Sequence, residues 1–141
     1  MKIKGTGKSE TLNGSSGTDI INGGAGDDII NGGVGNDTLT GGRGADTFVF
    51  GERSGFDVIT DFNAAEGDRI VFDLGSGDQL ALSGPLYDGM RISVGGTDCS
   101  VGCLDINGDG IMDTQISYGG SNIVLLGYTP DQVDSASLLF G

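Results

Sequence analysis

The sequence predicts an all-β chain in which short stacked repeats run into a cap of antiparallel strands. Three observations predict it: five nine-residue repeats in unbroken phase from Gly5 to Val49, a change near Phe50 to short alternating strand patterns, and almost no helix signal. The repeats are GTGKSETLN (Gly5–Asn13), GSSGTDIIN (Gly14–Asn22), GGAGDDIIN (Gly23–Asn31), GGVGNDTLT (Gly32–Thr40) and GGRGADTFV (Gly41–Val49). An acid recurs at the sixth position as Glu10, Asp19, Asp28, Asp37 and Asp46. An apolar residue recurs at the eighth as Leu12, Ile21, Ile30, Leu39 and Phe48.

Each repeat's tail is too short to be a stable strand alone. Stacked on its neighbours, it turns the eighth side chain inward and the flanking ones outward. The glycine-rich front makes a tight turn and leaves its carbonyls unobstructed. Stacked strands repeat at about 4.7–4.9 Å and Ca²⁺ takes oxygens at about 2.3–2.6 Å, so an ion fits midway between two loops. The stretch offers hard oxygen donors and no soft ones. Two carboxylates one spacing apart repel by roughly 1 kcal/mol in water, and by about 3.5 kcal/mol at an effective dielectric of 20. A few such pairs rival a domain's margin of about 5–15 kcal/mol, so the metal-free repeats are expected to be disordered and the ion to drive folding. A Gly/Ser/Asn/Asp tract also suits a flexible linker. The common phase of acidic and apolar positions argues against that. The first repeat departs most, with Thr6 and Lys8 for glycines and Glu10 for aspartate; its ion site is expected to be weak or absent.

From Phe50 onward the strand candidates are Thr47–Phe50, Val58–Asp61, Arg69–Asp73, Gln79–Leu82, Arg91–Val94, Thr114–Tyr118, Ile123–Leu126 and Ser137–Phe140. Only Pro130–Ala136 could make a turn or two of helix. Phe48, Phe50, Phe56, Phe62 and Phe72 are expected in the core rather than on a ligand platform. Asp105-x-Asn107-x-Asp109-Gly110, followed by Asp113, has the front half of an EF-hand-type loop, whose ligands would be Asp105, Asn107, Asp109, the Ile111 carbonyl and Asp113. Ile116 stands where the bidentate glutamate belongs, so the alternative is a tight turn held by Asn and Asp side chains.

The chain has 141 residues, one domain's length, with 29 glycines and a net charge of −13. That charge argues against nucleic acid and anionic membranes as partners. With no histidine there is no HExxH motif, Ser-His-Asp set or Cys-His pair, so no catalytic residue is assigned and the module is expected not to be an enzyme. No apolar run approaches a membrane span, and Met1–Lys4 does not resemble a leader. Cys99 and Cys103 lie in a loop-like stretch (Gly95–Gly102). They are too few for structural zinc; a local disulfide is expected outside the cell, free thiols being the alternative.

The nonapeptides, with ADTFVF (Ala45–Phe50), DVITDF (Asp57–Phe62), GDRIVFDL (Gly67–Leu74), DINGDGIMD (Asp105–Asp113) and the ending Thr129–Phe140, resemble the RTX (repeats-in-toxin) C-terminal module of bacterial proteins exported by type I secretion. Serralysin-type proteases and mannuronan C5-epimerase R-modules carry such modules. The resemblance implies a parallel β-roll with two repeats per turn over residues 1–49, continuing into an antiparallel β-sandwich-like cap over residues 50–141. It implies several Ca²⁺ ions, an uncleaved C-terminal secretion signal read by the type I apparatus, and a secreted monomer; an acidic polysaccharide such as alginate is the alternative partner.

The family's coordination pattern implies one site from Ser15, Gly17 and Asp19 with Gly32, Val34 and Asp37. A second would use Gly24, Gly26 and Asp28 with Gly41, Arg43 and Asp46, and a poorer third Thr6, Lys8 and Glu10 with Gly23, Ala25 and Asp28. Beyond the last repeat, Gly33, Gly35 and Asp37, and likewise Gly42, Gly44 and Asp46, have an open side; Asp57 and Asp61 are the nearest closers.

Overall fold

The computed structural model describes residues 1–51, 54–63, 66–73, 80–81, 91–94, 97–104, 110, 113–118, 121–126 and 138–140. These residues form two sheets. One runs, neighbour to neighbour, β1 (Lys2–Lys4), β3 (Ile20–Ala25), β5 (Thr38–Arg43), β7 (Phe56–Ile59), β13 (Ser121–Leu125), β12 (Asp113–Tyr118), β11 (Thr97–Leu104) and β10 (Arg91–Val94). The other runs β2 (Thr11–Asn13), β4 (Ile29–Asn31), β6 (Thr47–Gly51), β8 (Arg69–Asp73), β14 (Leu138–Phe140) and β9 (Leu80–Ala81).

The nine-residue period puts successive repeats on opposite sheets, so each strand pairs in parallel with one two repeats away. Ile3 lies on Ile21 and Ile21 on Leu39; Leu12 lies on Ile30 and Ile30 on Phe48. The parallel ladder does not stop at residue 49. Leu39 pairs with Ile59 and Phe48 with Ile70, so β7 and β8 add another turn despite longer connecting loops. β13 then extends β7 and β14 extends β8, still in parallel. Antiparallel pairing begins with β13–β12–β11–β10 and β14–β9. The roll therefore passes through the expected boundary, and the cap grows from its edge strands.

Alternation decides the core. Position-eight side chains Ile21, Ile30, Leu39 and Phe48 have no exposed surface, and Ile59 and Ile70 continue the two files. Each such burial contributes about 1.5–3 kcal/mol. Phe50 and Phe62 close the same core, with the Phe48 and Phe62 ring centroids 6.3 Å apart. Phe56 departs from expectation: it is the outward residue beginning β7 and is 37% exposed. The Phe72 side chain lies outside the described residues.

Position five carries a hydrogen-bond ladder of its own. The Asp27 amide donates to Ser9 Oγ, the Ala45 amide to Asp27 Oδ1 and the Phe56 amide to Asn36 Oδ1, at 2.9, 2.9 and 3.0 Å. A short polar side chain thus satisfies a backbone donor one turn further on.

β11 corrects a second expectation. Through the stretch read as a loop runs an eight-residue strand whose residues Cys99–Leu104 pair with β12, Cys99 opposite Tyr118 and Cys103 opposite Thr114. Four residues of extended backbone separate the cysteine Cα atoms by roughly 13 Å, whereas a disulfide spans about 4.4–6.8 Å. A Cys99–Cys103 bridge does not fit this strand. The proposed helical turn at Pro130–Ala136 lies outside the described residues, among which no helix is long and apolar enough to cross a membrane.

Candidate metal centre

The acid of each repeat sits immediately before the repeat's strand or extended tail, where two backbone bonds lock it. Its carbonyl accepts an amide from the next turn: Glu10 from Ile29, Asp19 from Thr38, Asp28 from Thr47, Asp37 from Val58 and Asp46 from Arg69, at 2.8–2.9 Å. Its own amide donates to a carboxylate one turn later: Glu10 to Asp28, Asp19 to Asp37, Asp28 to Asp46, Asp37 to Asp57 and Asp46 to Asp68, at 2.8–3.0 Å. Two files of acids result, Glu10–Asp28–Asp46–Asp68 and Asp19–Asp37–Asp57. All but Glu10 are buried.

One oxygen of Asp28, Asp37, Asp46, Asp57 and Asp68 takes this ladder's amide, whereas Glu10 and Asp19 head the files and Asp19 Oδ1 meets the Met1 ammonium at 3.1 Å. The other oxygen divides the files. Asp28, Asp37, Asp46 and Asp57 each hold a buried Oδ2 with no hydrogen-bond partner. At Asp19 the second oxygen takes the Ser15 amide at 2.6 Å, and the Ser15 hydroxyl touches both oxygens. Glu10 is held the same way by the Thr6 amide and hydroxyl, and Asp68 Oδ2 takes the Asn63 amide at 2.8 Å. Burying an ionised oxygen unpaired is among the costliest arrangements a fold can hold. Four in two parallel files call for a cation.

Carbonyls surround the same spaces. The Ser15 and Gly17 oxygens fill the space a side chain at Gly33 or Gly35 would need, those of Gly24 and Gly26 do so at Gly42 and Gly44, and that of Gly35 at Gly55. A side chain at Gly23 would strike Asp28 Oδ2 and stand 2.7 Å from the Gly41 carbonyl. Carboxylate and carbonyl oxygens therefore converge where only a glycine hydrogen fits. Among the described residues no three His, Cys, Asp or Glu side chains gather at one point, so carbonyls must complete any ligand set. That composition suits a hard cation with six to eight oxygen ligands. A bound cation would supply the positive charge the buried acids lack.

The electrostatics agree. Burial pushes Asp37 above the usual carboxylate range, Asp46 to about 6, Asp57 to about 7 and Asp68 to about 6. Asp19 moves the other way, its charge held first by the Ser15 amide, and Glu10 is lowered by the Thr6 amide.

Of the two expected closers, Asp57 stands in file. Asp61 does not: its two oxygens take the Gly41 and Gly42 amides at 2.9 and 2.7 Å. Two residues escaped sequence reading. Asp68 follows Asp46 by 22 positions instead of 18, because the loop before it is longer. The Ser54 carbonyl accepts the Gly35 amide as the Arg43 carbonyl accepts that of Gly26, which makes it a position-three carbonyl outside any repeat. The loop residues Asp105, Asn107, Asp109 and Ile111 and the Asp113 side chain lie outside the described residues.

Residues 4–39 and 27–52 match the family model of the RTX calcium-binding nonapeptide repeat, with four copies. The repeat segment of this chain is an RTX array. Solved structures extend the likeness beyond the RTX repeats. The AlgE6R3 subunit of the Azotobacter vinelandii mannuronan C5-epimerase is similar with a TM-score of 0.60 and 28% identity, over 97% of this chain and 77% of that one. The AlgE6R2 subunit of the same epimerase shares the fold at a TM-score of 0.55 and 23% identity, over 98% and 91% of the two chains. The extracellular lipase LipA of Serratia marcescens shares it at 0.50 and 21% identity; there the match covers 97% of this chain but 20% of the lipase. No curated protein sequence matches the chain.

Proposed function

We propose that this chain is a non-catalytic module whose RTX roll folds on binding extracellular Ca²⁺, and that its C-terminal end supports type I secretion of the protein that carries it. The observation that carries the calcium part is the set of four buried, unpartnered carboxylate oxygens at Asp28, Asp37, Asp46 and Asp57. Carbonyls of Gly24, Gly26, Gly33 and Gly35 and their neighbours would complete the ligand sets. Without a cation the roll must bury repelling charge; with one, binding energy becomes folding energy. Weak sites filled near millimolar calcium suit an extracellular module and leave the chain unfolded where calcium is scarce.

The test is far-UV circular dichroism of the chain, begun in EDTA and titrated with Ca²⁺, with Mg²⁺ in parallel. A steep, calcium-specific gain of β signal is expected. A spectrum already complete in EDTA, or an equal response to Mg²⁺, would sink the proposal.

The similarity to an epimerase R subunit favours a second reading, a calcium-dependent module for acidic polysaccharide. The chain has seven basic residues against twenty acids, a poor balance for a polyanion. Heat on titrating an oligomannuronate into the calcium-loaded chain would favour this reading, and its absence would remove it.

A further inference from the structure

In four of the five repeats the state of the acid goes with one backbone amide, that of position two, four residues before it. In the first two repeats this amide turns to the acid: Thr6 to Glu10, and Ser15 to Asp19 at 2.6 Å, each backed by the same residue's hydroxyl. In the fourth and fifth repeats another acceptor takes it. The Gly33 amide goes to Asn31 Oδ1 at 2.9 Å, and the Gly42 amide to Asp61 Oδ2 at 2.7 Å. The acids of those repeats, Asp37 and Asp46, keep a buried oxygen with no partner. Position two is Thr6 or Ser15 in the closed repeats and a glycine of positive φ in the open ones, Gly33 and Gly42, as is Gly24 in the third repeat, where Asp28 is open too. Asn31 and Asp61 hold the turned amide in the fourth and fifth.

We propose that Asn31 and Asp61 are positioning residues which keep Asp37 and Asp46 open to calcium by diverting the position-two amide, and that Thr6 and Ser15 close the Glu10 and Asp19 positions by supplying amide and hydroxyl together. The assignment rests on the calcium reading above. Occupancy is then weighted toward the later turns, and the first two repeats carry built-in replacements for an ion. Neither Asn31 nor Ser15 belongs to the acid files, so the sixth-position pattern alone does not reveal the distinction. Asp61, expected as a ligand, serves instead through Gly42.

The experiment is calcium binding by the full chain, measured by equilibrium dialysis and calorimetry with CaCl₂ alone, on the parent and three variants. Asn31→Ala releases the Gly33 amide to Asp37 and is expected to weaken one ion by about 10–100-fold, the usual effect of losing an outer-shell partner, with the other ions unchanged. Asn31→Asp keeps the acceptor and is expected to restore that ion. Ser15→Gly removes the hydroxyl and lets position two adopt the positive φ of Gly24, Gly33 and Gly42, which turns the amide off Asp19; it is expected to tighten the weakest ion by about tenfold. Unchanged binding in Asn31→Ala, a loss spread over all ions, or a loss that Asn31→Asp does not restore overturns the assignment. So does a Ser15→Gly chain that binds no more tightly than the parent. A parent chain that takes up no calcium overturns the calcium reading itself, a separate result.

Discussion

Gly42→Ala is expected to abolish the calcium-induced gain of β structure at calcium concentrations that fold the parent chain. Gly42 has φ +97°, where a side chain is strained by about 1–3 kcal/mol. Its added methyl would run into the Gly24 carbonyl and stand 3.2 Å from the Gly24 amide nitrogen, both backbone atoms of the strand it pairs with. Backbone cannot swing aside as a lysine tip can, and the displaced carbonyl is a candidate ligand. Together these effects are expected to cost at least about 3 kcal/mol, a large share of a margin of roughly 5–15 kcal/mol. Gly17→Ala is the control, since a methyl there meets nothing within 4 Å. The measurement is the calcium midpoint of the circular dichroism transition. Equal midpoints for the two variants would show that the loop-to-loop contact does not govern folding.

Acidification is expected to do part of calcium's work. Asp46, Asp57 and Asp68 are raised by burial to about 6, 7 and 6 from an ordinary value of 3.8. The folded chain therefore binds more protons than the unfolded one between about pH 4 and 7, and metal-free stability falls as pH rises through that window. For Asp57 alone the change from 3.8 to about 7 amounts to roughly 4 kcal/mol above pH 7. Asp19 and Glu10 carry the opposite sign: their lowered values contribute stability that is lost as pH falls below the ordinary carboxylate range. In EDTA the β signal is thus expected to grow from pH 7.5 to 5 and to decline again under stronger acid. Calcium added at pH 6 is expected to release protons, measurable with an indicator dye. Proton-neutral calcium uptake at pH 6, or a β signal that only falls on acidification, would contradict the burial of these acids.

The roll was legible because two constraints share one period. Ile21, Ile30, Leu39 and Phe48 mark the inward face and Asp19, Asp28, Asp37 and Asp46 mark the turn, so a single phase places both. Asp68 was not legible, because a longer loop shifts it out of phase while the strand after it stays in register with β6. Asp57 was found only by nearness. Its hydrogen bond to the Asp37 amide copies that of the repeats, but no glycine pattern announces it. β11 was missed for another reason: Thr97–Leu104 is built mostly of small residues, and its alternation rests on Cys99, Val101 and Cys103, where the cysteines drew a disulfide reading instead. Its place comes from pairing with β12, from Leu104 opposite Asp113 to Cys99 opposite Tyr118. Asp61 shows the limit of reading by residue type, since a carboxylate beside calcium-binding loops can spend both oxygens on amides.

The two strands that seal the roll carry a kinetic consequence. Within the repeats every ladder joins residues 18 positions apart, as Ile21 to Leu39. At the far edge Val58 must find Val124 and Ile70 must find Leu138, 66 and 68 positions away. Closing a larger loop costs more chain entropy, and assembly slows as such distant pairings dominate. The turns can zip up step by step as each neighbour arrives, whereas the seal waits for a long search. Until it forms, β7 and β8 present bare amides and carbonyls to any passing extended chain.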